Sequence, residues 1–255
     1  MLLRCDISIA ARYTSPAQRS RVLSETWFQS NGYCLSCESD RLRATAANTK
    51  ATDFICPECE HSYELKAFRN RPKRRLVDGA YSAIMTRIRN GSVPTLMMLE
   101  RNEDWEIQSL TAIHHLFLTP NVIEQRKPLS EMARRAGWVG CNIRLDRIAN
   151  DAKIEVVGHG CQNNRELVRE AFQRFDGLKN IPLGMRGWTT LTLRVIRDLR
   201  REAFTLNDLY ERESRFSEEY PENRNIRPKI RQQLQVLRDL GYLAFLGNGD
   251  YRLLI

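Results

Sequence analysis

The chain has 255 residues, enough for two domains, and its 42% hydrophobic and 28% charged residues exclude fibrous and disordered classes. The 40 Lys and Arg against 31 Asp and Glu leave a net charge of +9. That excess favours a polyanionic partner, because basic side chains replace the counterions condensed on a phosphate backbone. No apolar run reaches the ~20 residues of a membrane-spanning helix, and the opening MLLRCDISIAARYT lacks an apolar signal segment. No membrane partner and a cytoplasmic location are therefore expected. In such a reducing compartment the seven cysteines point to metal rather than disulfides.

In chain order, residues 16–30 read as a helix with Pro16 in its first turn and Val22, Leu23, Trp27 and Phe28 at helical spacing. Short strands are expected over 52–56 and 62–67, then a basic loop over 67–75. Asp78 reads as the cap of a helix over 78–90, buried through Tyr81, Ile84, Met85 and Ile88. The apolar run 94–100 reads as a buried strand, and 105–113 and 115–119 as further strands. Residues 125–142 are polar and basic with Trp138 between glycines, the composition of a functional loop. A strand over 153–157 and a helix over 164–175 follow. Residues 175–187, with three glycines and a proline, read as a linker. The remainder reads as helices over 188–201, 204–212 and 226–240, then two strands around Gly247-Asn248-Gly249.

Cys34-x2-Cys37 and Cys56-x2-Cys59 are two knuckles separated by eighteen residues. Two-residue spacing turns both thiolates of a knuckle toward one ion, and four thiolates close a tetrahedral structural Zn2+ site. Cys5, Cys141 and Cys161 read as packing residues.

Asp53 lies between the knuckles' first and last cysteines, and Glu64-Leu65-Lys66 follows them. In a strand, Glu64 and Lys66 share one face while Leu65 points to the other. If the strand carrying Asp53 pairs antiparallel with this one, Asp53 stands beside Glu64. Two carboxylates suit a hard cation such as Mg2+, and Lys66 can orient a water or stabilise developing charge. Taken alone, the spacing also describes a surface salt bridge on an edge strand. Glu25 reads as part of a solvated helix face or as a further acid near the site.

The C-terminal third reads as a winged helix. Ile226, Ile230, Leu234, Leu237 and Leu240 keep one helical face, and Arg227, Lys229, Arg231, Gln232, Gln235 and Arg238 the other. Arg and Gln match guanine and adenine edges in the major groove. Residues 182–255 hold 13 basic and 10 acidic side chains, so most of the basic excess lies before them and both parts are expected to touch DNA.

The pattern D-x10-ELK resembles the PD-(D/E)xK nuclease signature, with Thr52 at the proline position. DFICPEC, ELK, DGAY, QRKPL, ARRAGWVGCNI, RGWT, FTL-x-D-x-Y and IRQQLQVLRD, in this order, resemble the DpnI-like family of methyl-directed restriction endonucleases. The resemblance implies an α/β (α+β) PD-(D/E)xK nuclease core with an inserted four-cysteine zinc site over 1–181 and a winged-helix DNA-binding domain over 182–255. It further implies a Mg2+-dependent type II enzyme. Such an enzyme cuts double-stranded DNA at GATC carrying N6-methyladenine, between methyladenine and thymine, to blunt ends. Asp53, Glu64 and Lys66 are then catalytic, with Asp53, Glu64 and the Leu65 carbonyl on Mg2+, and Cys34, Cys37, Cys56 and Cys59 on zinc. Arg134, Arg135 and Trp138 would enter the DNA. A monomer is expected. The alternative is a non-catalytic zinc and winged-helix regulator that binds methylated DNA.

Overall fold

The computed structural model describes residues 1–46 and 52–255. Helix α1 (Pro16–Asn31) is followed by strands β1 (Arg43–Ala44), β2 (Phe54–Ile55), β3 (Ser62–Phe68) and β4 (Arg75–Ala80) and by helix α2 (Tyr81–Arg89). Strands β5 (Thr95–Arg101), β6 (Ile107–Ile113), β7 (Ile123–Gln125), β8 (Gly140–Arg144), β9 (Lys153–Gly158) and β10 (Cys161–Gln162) lead to α3 (Arg165–Gln173). The last third runs α4 (Leu183–Asp198), β11 (Ala203–Thr205), α5 (Leu206–Tyr210), α6 (Glu213–Glu219), α7 (Ile226–Asp239), β12 (Leu243–Gly247) and β13 (Asp250–Leu253). Two compact units draw on interleaved segments. One comprises Met1–Lys73, Gly91–His115 and Asp151–Phe175, and the other Arg74–Asn90, Leu116–Asn150 and Asp176–Ile255.

The first unit is built on a mixed seven-stranded sheet in the order β1-β2-β3-β5-β6-β9-β10. Only the β3–β5 pair within it is parallel. β5 is buried at every residue from Thr95 to Leu99. A strand covered on both faces needs such an unbroken apolar run rather than alternation. Leu23, Trp27 and Phe28 of α1 pack on this core, with Phe28 and Phe54 edge to face at 4.9 Å. The α3 residues Val168 and Phe172 are buried in the same core.

The second unit holds a three-stranded sheet β4-β8-β7 and a second sheet β11-β13-β12 beside α4 to α7. α4 is buried from Gly187 to Ile196. Its Thr189 hydroxyl donates to Gln233 Oε1 of α7 at 2.7 Å, a polar link inside an apolar contact. Thr205 and Asp208 form a reciprocal capping box at the start of α5. The fold is thus a mixed α/β chain with a four-cysteine cluster and a C-terminal set of helices α4 to α7 beside the sheet β11-β13-β12, the class expected from the sequence.

Several local expectations are corrected. Asp78 caps no helix: it lies in β4, paired with Cys141, and α2 starts at Tyr81. The ladder to β8 takes the segment that helical periodicity claimed. Residues 115–119 form a 3-10 turn at His115–Phe117 rather than a strand. Leu116, Phe117 and Leu118 are all buried, so no period distinguished the two. Residues 175–187 are not a linker. Asp176–Asn180 is a 3-10 helix with Leu178 fully buried, and α4 begins at Leu183. Gly187 counted against a helix, yet a Cβ there would come within 2.4 Å of the Tyr220 hydroxyl, so close packing demands glycine. Residues 203–205 are a strand before α5, and α6 had no signal strong enough to expect it. Cys161 is exposed and so is no packing residue.

Candidate functional site

The cysteine knuckles meet. The four Sγ atoms of Cys34, Cys37, Cys56 and Cys59 lie within 4.8 Å of one another, with 3.5 Å between Cys34 and Cys59 and between Cys37 and Cys56. Thiolates at ~2.3 Å from one tetrahedral ion stand about 3.8 Å apart, so the cluster fits a structural zinc site. Each knuckle is a tight turn closed by backbone bonds, Cys34 N to Ser39 O and Glu60 N to Cys56 O. Burial pushes the Cys34 thiol up, while the Tyr63 hydroxyl 3.2 Å away opposes the shift. At Cys56 burial also acts upward, but amide donors from Cys59 and Glu58 win and bring it down to about 7. Arg169 of α3 straps the first knuckle by donating to the Cys34, Glu38 and Ser39 carbonyls.

Asp53 immediately precedes β2, the strand that enters the second knuckle. β2 and β3 are antiparallel, Phe54 opposite Tyr63, and the Asp53 amide donates to the Tyr63 carbonyl at 2.9 Å. The ladder ends at Phe54, so Asp53 lies just outside it. Its Oδ2 accepts the Leu65 amide at 2.8 Å. Lys66 Nζ lies 2.6 Å from Glu64 Oε1, with side chains 25% and 13% exposed. The structure therefore brings Asp53, just before β2, against the Glu64-Leu65-Lys66 segment of β3. Two carboxylates beside an ammonium suit a hard divalent cation, which prefers oxygen donors.

Asp53 also lines a cleft of ≈ 370 Å³ between α1 and the segments around β1 and β2. Arg21, Glu25 and Gln29, at i, i+4 and i+8 of α1, form its other wall. Arg21 Nε donates to Glu25 at 2.8 Å, and that bond raises the pKa of the guanidinium. Glu25 thus faces the same cleft as Asp53.

The remaining predicted residues lie in the second unit. Between β7 and β8 the chain folds into a compact loop, held by Leu129 N to Trp138 O at 2.9 Å and Gly137 N to Leu129 O at 3.1 Å. Gly137 has φ +74°, a left-handed conformation that favours glycine. Arg134 and Arg135 are exposed, and Arg135 lies 4.9 Å over the half-buried Trp138 ring. Met132, at the tip, is 95% exposed. In α7, Ile226, Ile230, Gln233, Leu234 and Leu237 are buried, while Arg227, Arg231, Gln232, Gln235 and Arg238 are exposed and Lys229 is half-buried over Trp188. Sequence reasoning missed Tyr210, whose hydroxyl accepts from Arg231 at 2.8 Å and whose ring lies under Arg227. It also missed Glu219, which ends α6 with its side chain 4% exposed. A buried carboxylate far along the chain from its partners leaves no local signal.

Residues 1–181 match the DpnI model of the Dam-replacing family, and residues 184–253 match the DpnI C-terminal model, the Dam-replacing HTH domain. Together the two matches cover nearly the whole chain, including the cysteine cluster, the Asp53–Lys66 cluster and α7. The chain therefore belongs to the DpnI, or Dam-replacing, family of methylation-directed restriction enzymes, with a helix-turn-helix DNA-binding domain at its C-terminal end.

Proposed function

We propose that this chain is a Mg2+-dependent endonuclease that cuts double-stranded DNA at GATC carrying N6-methyladenine, between methyladenine and thymine, leaving blunt ends. The observation that carries the chemistry is the meeting of the Asp53 carboxylate, just before β2, with the Leu65 amide and the Glu64–Lys66 pair of β3. It favours a PD-(D/E)xK core over a bare surface salt bridge, because a lone ion pair has no need of a second carboxylate one strand away.

In this reading Asp53, Glu64 and the Leu65 carbonyl hold Mg2+. When bound, that ion polarises the scissile phosphate and lowers the pKa of water. Asp53 is held in place from both sides, by its own amide on Tyr63 and by the Leu65 amide on its carboxylate. Glu64 holds the Lys66 ammonium in place, and Lys66 orients the attacking water or stabilises the negative charge that grows on the phosphate oxygens. The zinc cluster fixes the β2–β3 geometry. Arg134, Arg135 and Trp138 of the β7–β8 hairpin, with Arg227, Lys229, Arg231, Gln232, Gln235 and Arg238 of α7, read the site. We place the functional boundary at 181/182 and take the active species as a monomer.

Incubation with Mg2+ and plasmid from adenine-methylating and non-methylating hosts tests the proposal. Cleavage of the methylated plasmid only is expected. No cleavage of either plasmid returns the chain to the non-catalytic regulator, and equal cleavage removes methyl dependence alone.

A further inference from the structure

The two ends of the β7–β8 hairpin converge on one buried carboxylate. Asn121, two residues before β7, donates its side-chain amide to Glu219 Oε2 at 2.8 Å. Arg147, three residues after β8, brings Nε to 3.8 Å from Glu219 Oε1. Arg147 Nη1 also donates to the Asn121 carbonyl at 2.9 Å, tying the two ends to each other. Glu219 pairs in addition with Arg194 of α4, whose side chain is 8% exposed. Arg194 Nε and Nη1 are buried and find no hydrogen-bond acceptor among the described residues, so Glu219 is what makes the burial of this guanidinium tolerable.

The fit is steric as well as polar. A Cβ at Gly187 of α4 would come within 2.4 Å of the Tyr220 hydroxyl and 2.8 Å of Asn121 Oδ1. Tyr220 in turn stacks on Trp188 at 4.0 Å. Asn121 and Arg147 belong to the stretch matched by the first family model, and Glu219 and Arg194 to the stretch matched by the HTH model. A buried ion cluster is weak evidence for stability, since apolar packing does that work as well. Its distinctive property is orientation: one carboxylate accepts from one end of a hairpin and from a helix and pairs in charge with the hairpin's other end, and this holds in one arrangement only.

We infer that Glu219 is a positioning residue that mounts the Trp138-bearing hairpin on the HTH-type domain, so that hairpin and α7 meet methylated DNA as one preorganised surface. The inference rests on the proposed reading roles of that hairpin and of α7. Preorganisation makes the second contact intramolecular once the first has formed, which raises affinity without any new contact. The contributions of Trp138 and α7 to binding are then coupled.

The test uses the full-length, zinc-loaded chain. Glu219→Gln keeps an acceptor for Asn121 and removes the charge. Asn121→Ala and Arg147→Met each release one end and leave the Arg194–Glu219 pair in place. Hydrogen exchange is measured first. Amides over 119–147 are expected to exchange about 10-fold faster in the variants while those of α7 keep their protection. Unchanged protection over 119–147 in folded Asn121→Ala and Arg147→Met overturns the inference, and these two decide it even if Glu219→Gln does not fold. Binding to methylated and unmethylated GATC duplexes is measured second, by fluorescence anisotropy with Ca2+ replacing Mg2+. The methyl preference is expected to fall about 10-fold in the variants, and Trp138→Ala to cost less in the Glu219→Gln background than in the wild type. Wild-type preference with additive effects overturns the inference. A wild-type protein without methyl preference removes the proposed function, while hydrogen exchange still decides whether Glu219 mounts the hairpin.

Discussion

At the scale of single residues, the Asp53 carboxylate has one structural duty, the bond to the Leu65 amide, and one proposed chemical duty, the metal. Asp53→Ala is expected to cost about 1 kcal/mol of stability for that bond. It should leave binding of methylated DNA intact and abolish cleavage; anisotropy and plasmid nicking read the two separately. His114 shows the opposite use of burial. Ring-to-ring packing on Phe172 at 4.2 Å and on His115 at 4.7 Å keeps it dry, and burial, followed by the charge of His61, holds its pKa down at about 3. The unfolded imidazole titrates near 6.5, so below that pH the unfolded state binds the extra proton. The stability that neutral His114 allows is therefore whole above pH ~6.5 and is lost as pH falls toward about 3, by roughly 1 kcal/mol per pH unit. Urea unfolding at pH 7.5 and 5.5 checks this, and His114→Phe should flatten the slope by one proton.

At the scale of elements, the four-cysteine cluster and the strands beside it are one construction. Cys56 follows β2 directly and Cys34 is bonded to Tyr63 of β3, so the thiolates, β2 and β3 share their geometry. Metal-site energy in such small knots is folding energy. Stripping zinc with a chelator and restoring excess Mg2+ should leave cleavage abolished and thermal unfolding of the first unit shifted down by several degrees, both recovered on adding Zn2+. Cleavage that survives verified zinc loss would separate the cluster from the site. Much of this was legible in the chain. The two C-x2-C spacings gave the ligands, and the alternation in Ser62–Phe68 put Glu64 and Lys66 on one face. What spacing left open was the pairing of β2 with β3, because an antiparallel partner of two residues carries almost no periodicity. The exposed face of α7 was equally legible, since 3.6-residue periodicity sorted Ile230 and Leu234 from Arg231 and Gln235. Glu219 and Gly187 were not, because part of what each does is set by Asn121, some 66 to 98 residues away in sequence.

At the scale of the whole molecule, the +9 charge is the term that every DNA contact shares. Phosphate neutralisation releases counterions, so affinity for the methylated duplex is expected to fall at least ~10³-fold between 50 and 200 mM salt, with each lost phosphate contact lowering the log–log slope by about one. Anisotropy titrations across that range check it, and a flat response would remove the phosphate contacts from the account. Among the described residues no helix is long and apolar enough to cross a membrane.

The sequence by itself determined the two cysteine pairs, the acid–acid–lysine pattern, the amphipathic α7 and the family, because each is written in spacing of a few residues. Tertiary structure alone decided that the Asp53 carboxylate meets the Leu65 amide, that Glu25 shares its cleft, that residues 175–187 pack as helix rather than linker, and that both ends of the Trp138 hairpin close on Glu219. Those are long-range pairings. They are set by which surfaces can be buried together, and a local pattern carries no record of the partner.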